Sequence, residues 1–199
     1  ITIIRGHLEL MGNDPQEQQE TLEIVFDELD RMSRLIDHLI LLAKAERFDF
    51  LKEEIIDIKL FTEEVYAKIT TLAQRNWQLE QIGQGKFKGD RQRLTQAIIN
   101  LAQNAVQHTQ ETDSIILGSK IDCDTVSFWI QDTGEGFASE DRELIFQRFT
   151  RAANNRRYSQ GQGLGLSIVQ AIIEAHHGKV EASSDLGKGA TFTIILPLD

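Results

Sequence analysis

One pattern leaves the first part of this chain little choice of architecture. Leu22, Val25, Leu29, Met32, Ile36, Leu39 and Ala43 step by threes and fours, the spacing of one helix face, and the pattern stops near residue 50. The same stepping at Ile1, Ile4, Leu8 and Met11 precedes the break "GNDP", so residues 1–49 are expected to form a helical hairpin. Asp14 as N-cap, Pro15 at the first helical position and Glu17 beyond it mark the start of the second helix. Two helices bury little apolar surface, so a seam this regular predicts pairing with a second copy into a four-helix bundle rather than packing on its own chain. Ile1 falls in mid-pattern, and the chain reads as a portion of a longer protein.

Beyond Glu53 the periodicity changes. "IIDIKLF" reads as a strand running into a helix around Thr62 to Ala73; "WQLEQIG" and "KFKG" read as short strands about a turn at Gly83 to Gly85. A helix from Arg91 to His108 and the alternating strands "SIILGSKI" and "TVSFWIQD" come next. A polar segment from Gly134 to Gln160, broken by "LIFQRF", leads to an apolar helix ending near Gly178, and "KVEASS" with "ATFTIILPL" reads as a closing hairpin. Residues 50–199 are therefore expected to form one α+β domain, a mixed sheet packed on helices.

Composition narrows the partners. A formal charge of −10 argues against a general nucleic-acid binder, which needs a basic face. The single cysteine, Cys123, excludes an intrachain disulfide and a cysteine-based zinc site. No apolar run reaches membrane-spanning length and no signal peptide is visible, so no membrane contact is expected of these residues.

The stretch "GQGLGLSIV" brings Gly161, Gly163 and Gly165 to the start of an apolar helix, where backbone N–H groups favour an anion. A P-loop would need Lys then Ser or Thr, but Leu166 and Ser167 follow Gly165. A dinucleotide fingerprint would need a strand where "RAANNRRYSQ" stands. On the helix from Arg91, Leu94, Ile98, Leu101 and Ala105 form the apolar stripe while Asn100, Asn104, Gln107 and His108 share another face. Such amides are poor helix formers; a magnesium–phosphate site would explain them, and a solvated face is the plain alternative. Asp132 ends a strand before "TGEG", placed to accept from an exocyclic amine such as that of adenine, although D-x-G-x-G alone is an ordinary turn.

In order, "NLAQNAVQHT", "DTGEGF", "IFQRF", "GQGLGLSIV" and "GKGATF" reproduce the motif succession of the ATP-binding domain of sensor histidine kinases. "DELDRMSRLIDHLILLAKAE" resembles the second helix of their dimerisation domain, so the resemblance spans essentially the whole chain. It implies an ATP-binding α/β sandwich behind a dimerising hairpin, ATP and Mg2+ as ligands, a homodimer, and a response-regulator receiver domain as partner. It also implies a cytoplasmic place for these residues, within a parent that can be membrane-anchored.

Position by position, the resemblance implies that Asn104 ligates magnesium with Asn100 organising that site. Asp132 would take the adenine amine, with Gly134 and Gly136 shaping the pocket and Thr191 supporting Asp132. Phe146 and Phe149 would anchor a lid, Gly161, Gln162, Gly163, Leu164, Gly165 and Leu166 would let it close on the phosphates, and Arg151 would meet their charge. Arg156 and Arg157 are expected as solvated lid charges. Gln107 stands where many relatives carry a cation, and His108 would line the nucleotide site. Asn100 is a neutral amide where related ATPases place a water-activating glutamate, which implies transfer to a protein side chain over hydrolysis. The family's acceptor histidine is expected upstream of Ile1, and Thr2, Gly6 and His7 lie on the helix face the family uses for its receiver. His38 reads as a surface or structural residue, and His176 and His177 as helix-end caps. The rival class is a nucleotide-binding module without kinase activity.

Overall fold

The computed structural model describes residues 6, 12, 14–45, 50–142, 144–146 and 165–198. The chain divides into two compact units, Ile1–Ala43 and Lys44–Asp199.

In the first unit Gly6 is helical, and helix α1 runs Pro15–Ala45. Its start follows from local chemistry: Asp14 Oδ1 accepts the Gln16 N–H at 2.9 Å, Pro15 needs no hydrogen-bond partner, and Glu17 in the first turn and Lys44 in the last suit the helix dipole. Leu22, Phe26, Leu29, Ile36 and Ile40 recur at helical spacing, and all are exposed.

In the second unit β1 (Glu54–Asp57) pairs antiparallel with β3 (Lys86–Gly89). Between them lie α2 (Ile58–Ile69) and β2 (Asn76–Glu80). Helix α3 (Arg91–Gln107), β4 (Ser114–Ile121), β5 (Thr125–Asp132), α4 (Gly165–Ala175), β6 (Lys179–Ser184) and β7 (Ala190–Pro197) complete the order, with short 3-10 turns at Ser139–Asp141 and Leu144–Phe146. Five strands form one sheet in the order β2-β4-β5-β7-β6; β2 is parallel to β4 and the other neighbours are antiparallel. This mixed sheet packed on helices is the expected α+β architecture.

Alternation builds the core. Val126, Phe128 and Ile130 on β5 and Phe192, Ile194 and Leu196 on β7 are buried, and against Phe128 Phe61 of α2 packs edge-on and Phe87 of β3 at a tilt. The same alternation carries one residue further, so Asp132 continues the buried face of β5. A carboxylate is thus delivered to the interior by strand geometry.

Helix α2 begins at Ile58 and ends at Ile69, four residues earlier at each end than the sequence suggested. Asp57, at the end of β1, accepts the Leu60 N–H at 3.0 Å and starts the helix inside a β-branched run that resembles a strand.

Candidate functional site

Asp90 positions the amide-bearing helix. Its Oδ1 accepts the Arg93 N–H at 2.9 Å, its Oδ2 accepts the Lys52 N–H at 2.7 Å, and its own N–H donates to Nε2 of His176 at 3.0 Å. His176 therefore carries its proton on Nδ1, which donates to the Ile172 carbonyl at 2.8 Å. Burial holds this imidazole below its ordinary value. His176 is more than a helix-end cap: it ties the end of α4 to the start of α3.

Along α3, Asn100 is buried and its Nδ2 has no hydrogen-bond partner among the described residues, while Asn104 is half-buried and Gln107 exposed. An orphaned buried amide is costly unless something completes it, and an acceptor such as a phosphate oxygen would. At the far end Arg75 donates to the carbonyls of Val106 and Thr109, and His108 Nδ1 lies 2.7 Å from Glu135 Oε1.

Asp132 is 2% exposed. Its Oδ1 accepts two backbone N–H groups, from Gly134 at 3.0 Å and from Ala190 at 3.3 Å. Burial raises this carboxyl above the ordinary carboxylate range, against the pull of those two donors. No hydrogen bond among the described residues joins Thr191 to Asp132. Thr191 pairs with Gln131 across the strands, and the alternation of β7 puts its side chain on the other face, so the last strand supports Asp132 through the Ala190 N–H instead.

Two close approaches explain the glycines. A Cβ on Gly134 would lie 2.0 Å from the His108 carbonyl oxygen, and one on Gly189 would lie 1.9 Å from the Asp132 carbonyl oxygen. Gly136 (φ +64) and Gly189 (φ +86) also hold left-handed conformations. The loop after β5 and the β6–β7 turn are laced together: Ser184 Oγ accepts from Phe137 N at 2.8 Å and donates to the Gly189 carbonyl at 2.7 Å, and Gly187 N donates to the Glu135 carbonyl at 2.8 Å. No local sequence signal marks Ser184 or Glu135, because their parts depend on partners distant along the chain.

Phe146 packs edge-on against Phe192, 6.3 Å between centroids. Gly165 opens α4, Leu166 follows it half-buried, and a Cβ on Gly165 would meet none of the described residues within 4 Å. Thr2, His7, Phe149, Arg151, Gly161, Gln162, Gly163 and Leu164 lie outside the described residues, as do Arg156 and Arg157. The end of α3, the end of β5 and the β6–β7 turn thus meet at Asp132, with Asn104 one helical turn before His108.

Among the described residues no group of three or more His, Cys, Asp or Glu could hold a metal ion, and no helix is long and apolar enough to cross a membrane. The amide oxygen of Asn104 is of the kind a hard cation takes, with its other ligands from phosphate and water.

The family model for "Histidine kinase-, DNA gyrase B-, and HSP90-like ATPase" matches residues 89–199, and that for the "His Kinase A (phospho-acceptor) domain" matches residues 1–48. The sensor protein SrrB of Staphylococcus aureus (strain NCTC 8325 / PS 47) is 32% identical over 206 residues, which cover 99% of this chain and 35% of SrrB. The chain thus spans about a third of the length of this curated relative. Full-length ShkA, solved in complex with AMPPNP, is similar with a TM-score of 0.76 at 26% identity, over 96% of this chain and 41% of that one. Histidine kinase ThkA, solved in complex with the response regulator TrrA, shares the fold with a TM-score of 0.79 at 24% identity, over 100% of this chain and 57% of that one. The order of motifs, the mixed sheet with its buried strand-end aspartate, and these matches agree: the chain belongs to the family of histidine kinase-, DNA gyrase B- and HSP90-like ATPases, and within it to the sensor histidine kinases.

Proposed function

We propose that residues 50–199 bind Mg-ATP between α3, the end of β5 and the β6–β7 turn, and that the chain is the catalytic portion of a protein-histidine kinase. The observation that carries this is the state of Asp132. Two backbone N–H groups occupy Oδ1, which fixes the carboxylate plane and leaves Oδ2 to accept the exocyclic amine of adenine. A base bearing a carbonyl at that position would meet oxygen with oxygen.

From that anchor the phosphates would run toward Asn104 and Asn100. Asn104 Oδ1 would ligate the magnesium, whose charge would neutralise the phosphate oxygens and stabilise the transferring group. Asn100 Nδ2 would find its missing acceptor there. The proposed lid residues Phe146, Phe149, Arg151, Gly161, Gln162, Gly163, Leu164, Gly165 and Leu166 would close on the phosphates and exclude water. Asn100 is no general base, so the γ-phosphoryl group would pass to an imidazole nitrogen: the P–O bond to ADP breaks, a P–N bond forms, and the imidazole proton leaves to a neighbouring base. The proposed acceptor is a histidine upstream of Ile1, and the phosphate would then go to an aspartate of a response-regulator receiver domain, for which Thr2, Gly6 and His7 are the proposed contact residues.

The exposed row Leu22, Phe26, Leu29, Ile36 and Ile40 supports a homodimer through the helical unit, since apolar residues in register along one helix are the seam of a bundle. The test of the nucleotide site is calorimetric titration with ADP, ATP and GTP, with and without Mg2+. Adenine nucleotides should bind, ATP more tightly with the metal, and GTP should not compete. Equal binding of GTP and ATP would remove Asp132 from its proposed role.

A further inference from the structure

We propose that Glu135 is a positioning residue of the nucleotide site: through His108 it fixes the wall beside the adenine, and it acts on the base end of the ligand rather than on the phosphates. This deepens the reading of the site just given and rests on it.

Glu135 joins three elements. Its carboxylate accepts from His108 Nδ1 at 2.7 Å, its N–H donates to the His108 carbonyl at 3.3 Å, and its carbonyl accepts from Gly187 N at 2.8 Å. It therefore ties the residue that caps the end of α3 both to the loop after Asp132 and to the β6–β7 turn. The residue just past that turn, Ala190 at the start of β7, also gives Asp132 its N–H. An ionised carboxylate only accepts, so the contact fixes the His108 proton on Nδ1 and sets the plane of the ring. Main-chain geometry already holds the two backbones together, because Gly134 leaves the His108 carbonyl room that any Cβ would fill. What the Glu135 side chain adds is the orientation of the imidazole.

The place of this contact decides which part of the ligand feels it. His108 lies against the residues that follow Asp132, on the base side, whereas Asn104 lies one turn back on the proposed metal side. Loss of Glu135 should therefore weaken adenosine, ADP and ATP by one common factor, with no dependence on Mg2+. Glu135 is exposed and His108 partly so, 51% and 28% by side chain, so the ion pair itself adds little to the fold's stability.

The experiment is a titration of adenosine, ADP and Mg-ATP against the full chain and against Glu135→Ala, Glu135→Gln, His108→Ala and the double variant His108→Ala/Glu135→Ala. Glu135→Ala should lose about 3- to 10-fold for all three ligands, the scale of one hydrogen bond. Glu135→Gln, which keeps an acceptor oxygen for Nδ1–H, should recover most of that loss. The double variant should bind no more weakly than His108→Ala alone, because Glu135 acts through His108. A loss confined to Mg-ATP, additive losses in the double variant, or unchanged affinity in Glu135→Ala would overturn the proposal while leaving the nucleotide site intact. Absence of binding to the unaltered chain would overturn the site itself, and this inference with it. Thermal melts read alongside should move by only about 2 °C or less for Glu135→Gln, so a binding change there is not a folding change.

Discussion

Replacing Asp132 by asparagine separates recognition from stability in a way few substitutions can. In Asp132→Asn the side-chain oxygen can still accept from Gly134 N and Ala190 N, which stand 3.0 and 3.3 Å from Oδ1 in the unaltered chain, and the volume hardly changes. The second oxygen becomes an NH2 group, which would confront the adenine amine donor to donor. One hydrogen bond to a charged group is lost, about 1.5–3 kcal/mol or roughly 10- to 150-fold in affinity. Two unsatisfied donors face each other besides, so adenine nucleotides should bind about 100-fold more weakly or worse.

Stability should go the other way. Burial raises the Asp132 carboxyl, so the folded chain holds that proton more tightly than the unfolded chain does. Below the unfolded value of about 3.9 both states are protonated and nothing is lost. As pH rises through the raised folded value, the buried charge costs stability, and the cost persists at neutrality. Asp132→Asn removes that cost and should melt at or above the unaltered chain at pH 7, with the advantage closing at about pH 3. Calorimetric titration with ADP and a melting series in pH read the two halves. Unchanged ADP affinity, or a marked drop in melting temperature at neutral pH, would refute the reasoning.

Three further outcomes are expected. Asn104→Ala should weaken ATP by about 10-fold or more with Mg2+ present and by little without it, read by the same titration. His176 is buried neutral with its value lowered, so its contribution to stability is complete above the ordinary histidine value near 6.5 and is lost as pH falls from there toward the lowered folded value; denaturant melts of His176→Gln should lack that acid-side decline. Ile36→Asp, on the exposed row of α1, should convert a dimer to a monomer by sedimentation, while the melting of the ATP-binding unit stays unchanged.

How much of this was legible from sequence depended on how local each cause is. Strands β4 and β5 match their expected limits, because apolar and polar residues alternate between sharp turn signals and the pattern needs no distant partner. The burial of Asp132 follows from that same alternation. The limits of α2 were misplaced because one side chain, Asp57, decides between strand and helix in a run that suits both. The parallel pairing of β2 with β4 gives no local signal: Asn76 faces Ser114 across the intervening strand β3 and helix α3. His176 and Ser184 looked ordinary for the same reason, since their meaning comes from Asp90 and Phe137, far away in the chain. Asn100 and Asn104 share a face as expected, yet one is buried with an orphaned donor and the other only half-covered, a difference set by what packs on α3 rather than by its own periodicity.

The central claim is that this site hands phosphate to a histidine. The most direct measurement is incorporation of label from γ-labelled ATP into a longer version of the chain that includes the residues before Ile1, with Asn104→Ala as control. Acid-labile, base-stable label that requires Mg2+ and disappears in Asn104→Ala is the predicted result. A longer chain that binds ATP yet takes up no label would contradict the kinase assignment and leave a nucleotide-responsive binding module in its place.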